Sequence, residues 1–238
     1  RAASCFWLRH HGSWEGVAAN RGLLYIRNFK QNDASATAEN GGLSFTGYFK
    51  QVDFGMGVCH NIGRVAGANM AGAATFGIAA SGFEEIHPVS GWAFDDINCG
   101  STSNVDADGI KLFGRNPGTT YNAREGFAVV QNCRFKNCMG RGVKFQVQGA
   151  VENCEFELNN KGVIAQANHI DFQIGAGRVT NCRFRHYGSV TNPFTTGTSF
   201  SMVVFQCSTD NLELSHRLNN CELVCDVKCP RAVAVIPK

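Results

Sequence analysis

Carboxylates are the first place to look for chemistry in this chain, and they gather around one stretch. Asp95, Asp96, Asp106 and Asp108 precede the apolar run that starts at Gly109. Glu125 follows it, in a segment that also carries Arg115, Tyr121 and Arg124. A glycosidase uses two carboxyl groups, about 5–5.5 Å apart for retention of configuration and about 6.5–9.5 Å apart for inversion. A polysaccharide lyase needs instead a base beside a uronate and a cation to neutralise the acid, roles open to Lys111, Lys144 or Arg115. Asp95, Asp96, Asp106, Asp108 and Glu125 are therefore the candidate catalytic residues. Each Asp also has a turn-forming alternative, because Asp side chains bond their own backbone in turns.

Candidate substrate-binding residues stand beside these acids. If the phrases G-I-K-L-F from Gly109, G-V-K-F-Q from Gly142, G-V-I-A-Q from Gly162 and M-V-V-F-Q from Met202 are equivalent strands, one outward column reads Lys111, Lys144, Ile164. The next reads Phe113, Gln146, Gln166, Gln206. Amides and an aromatic ring can hydrogen-bond and stack on sugars, and lysines can meet anionic ones. Lys111, Phe113, Arg115, Lys144, Gln146 and Gln166 form this expected site, with a Gln ladder and a solvated Lys pair as its structural alternative. The seven histidines are scattered, and His169-Ile170-Asp171 reads as an exposed, incidental pair on one side of a strand. No Gly-x-Ser-x-Gly elbow is present. Cys221, Cys225 and Cys229 stand four apart without the second ligand pair a zinc site would show, so no metal and no cofactor is expected.

The elements that must hold these residues are read from a repeat. V-Q-N-C-R-F starts at Val130, V-E-N-C-E-F at Val151, V-T-N-C-R-F at Val179 and L-N-N-C-E-L at Leu218. V-S-G-W-A-F from Val89 and F-K-Q-V-D-F from Phe49 are further copies, which makes about six repeats. From Val89 the start-to-start spacings are 41, 21, 28 and 39 residues, so the unit is near 21 and the excess is loop. Apolar and polar residues alternate as in a strand, interrupted at Asn, which tolerates the left-handed backbone of a sharp bend. Two strands meeting at the Asn plus the G-V-x-F-x strand give three short strands per coil, stacked about 4.8 Å apart. G-L-S-F-T from Gly42 fits the same mould. Only 64–83, with Gly67, Gly72, Gly77 and Gly82 five apart, fits both a small-residue helix and close-packed strand and turn.

Stacked repeats turn positions into columns. Arg134, Glu155, Arg183, Glu222 and Lys136, Glu157, Arg185 both alternate in sign, as expected of ion pairs that fix register. Cys133, Cys154, Cys182 and Cys221 share one position and read as buried free thiols, which points to folding in a reducing cytoplasm.

At its N-C-x-F words and the following G-V-x-F-x strands the chain resembles pectate-lyase-like right-handed parallel β-helices, among them bacteriophage tailspikes and depolymerases. The resemblance spans roughly residues 42–224. It implies a homotrimeric virion appendage, made in the host cytoplasm, that binds and often cleaves a bacterial surface polysaccharide. A glycan-degrading tailspike is thus the leading expectation. The alternatives are a non-catalytic adhesive β-helix and a secreted pectin-type lyase.

Composition agrees with one all-β domain over 1–238. The chain has 238 residues, 44% of them apolar, and a net charge of +3. That charge, with no basic run, points away from nucleic acid, and no 18-residue apolar run suggests insertion into a membrane. A start at Arg1 reads as a fragment or processed product. Residues 218–238, ending in V-K-C-P-R-A-V-A-V-I-P-K, are expected to cap the stack or to touch trimer partners.

Overall fold

A computed structural model describes residues 6–9, 23–32, 43–46, 51–62, 74–78, 89–97, 108–114, 127–138, 141–159, 168–173, 176–187, 201–207, 216–225 and 231–237. They form nineteen strands. In chain order these are β1 (Phe6–Arg9), β2 (Leu23–Asn32), β3 (Leu43–Thr46), β4 (Gln51–Ile62), β5 (Ala74–Ile78), β6 (Val89–Ile97) and β7 (Asp108–Gly114). There follow β8 (Phe127–Gln131), β9 (Arg134–Cys138), β10 (Arg141–Gln146), β11 (Gln148–Glu152), β12 (Glu155–Asn159) and β13 (Asn168–Phe172). The last are β14 (Gly177–Thr180), β15 (Arg183–Tyr187), β16 (Ser201–Cys207), β17 (Arg217–Asn219), β18 (Glu222–Cys225) and β19 (Arg231–Pro237).

Among the described residues the protein is all-β, and every strand pairing is parallel. One sheet has eight strands in the order β1-β3-β5-β7-β10-β13-β16-β19. The other has eleven, with the path β17-β14-β11-β8-β6-β9-β12-β15-β18 and with β2 and β4 beyond β6. The chain therefore leaves the first sheet, contributes to the second, and returns to the first one place further along. From β7 onward each visit to the second sheet is two strands joined at Asn132, Asn153, Asn181 or Asn220, all at φ between 49 and 54°. Their carboxamides link along the stack, Asn220 donating to Asn181 at 2.7 Å and Asn181 to Asn153 at 3.2 Å. β6 and β4 pass through the same bend unbroken, at Gly91 (φ 72°) and Met56 (φ 46°).

Inside, like stacks on like. Phe94, Phe135, Phe156 and Phe184 lie with ring centroids 5.0, 4.8 and 4.9 Å apart and their planes nearly parallel. Phe145, Phe172 and Phe205 form a second stack. It packs over Gly149 and Gly177, where an added Cβ would come within 2.4–2.5 Å of a Phe ring. Burying a Phe side chain is worth about 1.5–3 kcal/mol, so these two stacks are a main source of cohesion.

Two sequence expectations shift. The repeat word expected at Phe49 starts at Phe54, because Phe54 pairs with Val89 and Gly57 with Trp92, which puts Met56 level with Gly91. The third G-V-x-F-x strand is β13 rather than Gly162–Gln166, because β13 supplies the phenylalanine that stacks on Phe145 and V-I-A-Q has none. Of the undecided stretch 64–83, residues 74–78 are strand β5, and the rest lies outside the described residues. β19 pairs with β16 as one more parallel strand of the first sheet.

Candidate functional site

Asp95 and Asp96 sit within β6. Asp95 Oδ2 accepts a hydrogen bond from Arg134 Nη2 at 2.8 Å, an ion pair between adjacent strands. Its Oδ1 is buried without a hydrogen-bond partner among the described residues. Asp96 adopts φ 55° in register with the left-handed Asn137, whose Nδ2 donates to Asp96 Oδ1 at 2.8 Å. Asp108 opens β7 in the other sheet, fully buried, with Arg141 Nη1 at 3.3 Å. Asp106, Glu125, Arg115 and Gln166 lie outside the described residues. Asp95 and Asp96 are thus held in a different sheet from Asp108.

The first sheet carries a polar network on the face that alternates with its core residues. Asp171 accepts hydrogen bonds from Arg141 Nε at 2.7 Å, Gln173 Nε2 at 3.1 Å and Gln206 Nε2 at 2.9 Å. Gln173 Oε1 in turn accepts from Gln146 Nε2 at 3.0 Å. Register places Lys111, Lys144 and Asp171 side by side, so the acid takes the position the sequence reading gave to Ile164. Phe113 occupies the register position next to Gln146. Lys144 and Gln146 are only 4 and 5% exposed, and His169 and Asp171 are buried as well, not an exposed pair.

Chemically, Arg141 lies where an acid–base pair would need a water or a glycosidic oxygen. Its guanidinium holds Asp108 on one nitrogen and Asp171 on another. Both carboxylates brace neighbouring strands, and a glycan could reach Lys144 or Gln146 only by displacing what covers them. Sequence reasoning missed Arg141 and set Asp171 aside as half of an exposed, incidental pair. Their signal was an Arg just before G-V-K-F-Q and the alternation of N-H-I-D-F.

Two other buried sets are equally committed. Burial, with His186 nearby, pushes the His169 imidazole down to about 3, and burial pushes His186 down to about 4, so both are neutral at neutral pH. The thiols of Cys133, Cys154 and Cys182 are buried, and that of Cys221 half-buried. Each has the carbonyl two residues back at 3.1–3.3 Å and a carbonyl of the preceding repeat as acceptors within reach of its one S–H. Burial and the neighbouring thiols push Cys154 far above its ordinary value, so it stays a thiol. Among the described residues no group of three or more His, Cys, Asp and Glu could hold a metal ion, and no helix is long and apolar enough to cross a membrane.

An open cleft of about 530 Å³ lies on the second sheet, lined by Arg178, Thr180, His216, Arg217, Leu218 and Asn219. Arg178 and Arg217 are exposed and directly opposite each other in register. The Arg178 guanidinium stands 5.2 Å over the Phe127 ring. His216 Nδ1 accepts the Gly177 amide at 3.2 Å, which leaves the ring proton of the neutral imidazole on Nε2. This cleft was not anticipated, although an Arg precedes both the V-T-N-C and L-N-N-C words. No protein-family model, curated protein or solved structure matches the chain.

Proposed function

We propose that the chain is a right-handed parallel β-helix of the phage-tailspike kind, a rigid rod that binds a bacterial surface polysaccharide, with the carboxylates of its strands acting as struts. The observation that carries this reading is the fate of the described acids: Asp95, Asp96 and Asp108 each bond a side chain of the next strand. The chain's alternation between two parallel sheets, one place further at each return, supports the solenoid. A rigid rod presenting clefts and loops is suited to binding an extended polymer.

Homotrimerisation, with the virion as its setting, belongs to the same reading. Val233 and Val235 on β19 are 37 and 61% exposed and continue the columns of Val203 and Phe205. The free buried thiols suit folding in a reducing cytoplasm.

The test is a panel of capsular and lipopolysaccharide glycans, scored for retention by the protein and for release of oligosaccharides. Retention without release is expected of this chain. Loss of retention on every glycan would remove the binding function. Release abolished by Asp95→Asn or Asp108→Asn would overturn the strut role, whereas release abolished by Asp106→Asn or Glu125→Gln would make the protein a depolymerase.

A further inference from the structure

Among the described residues three outward cations of the second sheet meet an acid from a neighbouring strand: Lys136 lies 3.6 Å from Glu157, Arg134 pairs with Asp95, and Arg183 Nε bonds Glu222. Arg178 and Arg217 differ. They stand opposite each other on β14 and β17, and among the described residues neither has a carboxylate within ion-pair distance. Like charges placed directly opposite cost stability, so this pair is a liability unless something anionic lies between.

We propose that the cleft around Arg178 and Arg217 is a subsite for the carboxylate of an acidic sugar in the polysaccharide this protein binds. The inference rests on the glycan-binding reading. A guanidinium presents a planar fork of donors that matches a carboxylate bidentately, and two of them facing one cleft give a charge of +2 at the point of contact. Arg178, braced on the Phe127 ring, is partly pre-positioned. The remaining lining suits the rest of a sugar ring. Thr180 and Asn219, opposite each other two residues further along the strands, offer a hydroxyl and an amide, and the 36% exposed Leu218 offers apolar surface for a ring face. The volume falls in the range of about 300–1,000 Å³ usual for small-ligand sites. The site is open, so its affinity should fall with added salt.

Calorimetric titration of the whole chain with a glucuronate-containing oligosaccharide, its neutral counterpart of equal length and inorganic phosphate tests this. Arg178→Gln, Arg217→Gln and the exposed control Lys136→Gln are titrated alongside, with circular dichroism melts to establish folding. Expected is binding of the acidic sugar, weakened about tenfold or more by either Arg substitution and by the neutral sugar, and unchanged in Lys136→Gln. Equal binding of acidic and neutral sugars that both Arg variants retain would overturn the subsite and leave polysaccharide binding standing. Failure of every sugar on the unmodified chain would sink the glycan reading itself. Phosphate binding without uronate binding would identify an oxyanion site for another ligand and overturn the sugar assignment. Loss of a higher oligomer in Arg217→Gln by light scattering, with sugar binding intact, would assign the arginines to a docked strand instead.

Discussion

Along β9, β12, β15 and β18 two columns run one residue apart and behave in opposite ways. The inward column repeats itself as Phe135, Phe156 and Phe184, followed by Leu223; the outward column alternates as Arg134, Glu155, Arg183 and Glu222. Backbone spacing is the same for both, so the difference lies in the forces. Dispersion and burial have no sign, and identical rings in contact simply add. Coulomb interactions have one, so a column of charges must alternate or be screened. Core stacking thus supplies cohesion, and the exposed charges supply discrimination between registers. The buried network around Asp171 combines both roles at greater risk, because each member is costly once its partner is removed.

Substitutions can break or sharpen that contrast. Phe156→Ala, at the centre of its stack, should lower stability by about 3–5 kcal/mol in urea unfolding. Its neighbour Glu155→Ala should change it by under about 1 kcal/mol, and equal losses would erase the distinction. Arg141→Ala strands the buried charges of Asp108 and Asp171 and should cost about 3 kcal/mol or slightly more. A neutral result there would mean that the network holds nothing.

Acid should act next. Folded His169 and His186 titrate near 3 and 4, against about 6.5 when unfolded. Between those values the unfolded chain binds more protons, so stability is level above pH ~6.5 and falls as pH drops toward 3. At pH 5 the loss should be about 2 kcal/mol per histidine. His186→Leu should remove part of this slope, and identical urea midpoints at pH 7 and 5 for the unmodified chain would contradict it. Smallest is Lys136→Ala, at most about 1 kcal/mol and vanishing in high salt, followed by the thermal midpoint with and without added salt.

Much of this was legible in the sequence, for a physical reason. The N-C-x-F words carry a bend and two core positions in adjacent residues, so Asn132, Asn153, Asn181 and Asn220, the thiol ladder and the alternating charges follow from local order alone. The first-sheet strands have no such bend marker, so Gly162–Gln166 and Asn168–Phe172 compete on alternation. Only stacking of Phe172 against a residue 27 positions earlier decides between them. Burial of Lys144 and Asp171 was hidden for a related reason, since a polar residue alternating with core positions reads as solvated whether or not anything covers it. The Arg178–Arg217 pair was legible as the residue before two consecutive repeat words, and the register confirms that the two stand opposite each other.

The core stacks, the charge columns and the Arg178–Arg217 cleft all depend on parallel strands stacked in that register. Nitroxide labels attached by ketone chemistry at positions 155 and 183, which spares the native thiols, measure it directly by electron paramagnetic resonance. Glu155 and Arg183 are register partners on adjacent strands about 4.8 Å apart. The doubly labelled chain should therefore give a strongly broadened spectrum. A spectrum equal to the sum of the two singly labelled ones would contradict the stack.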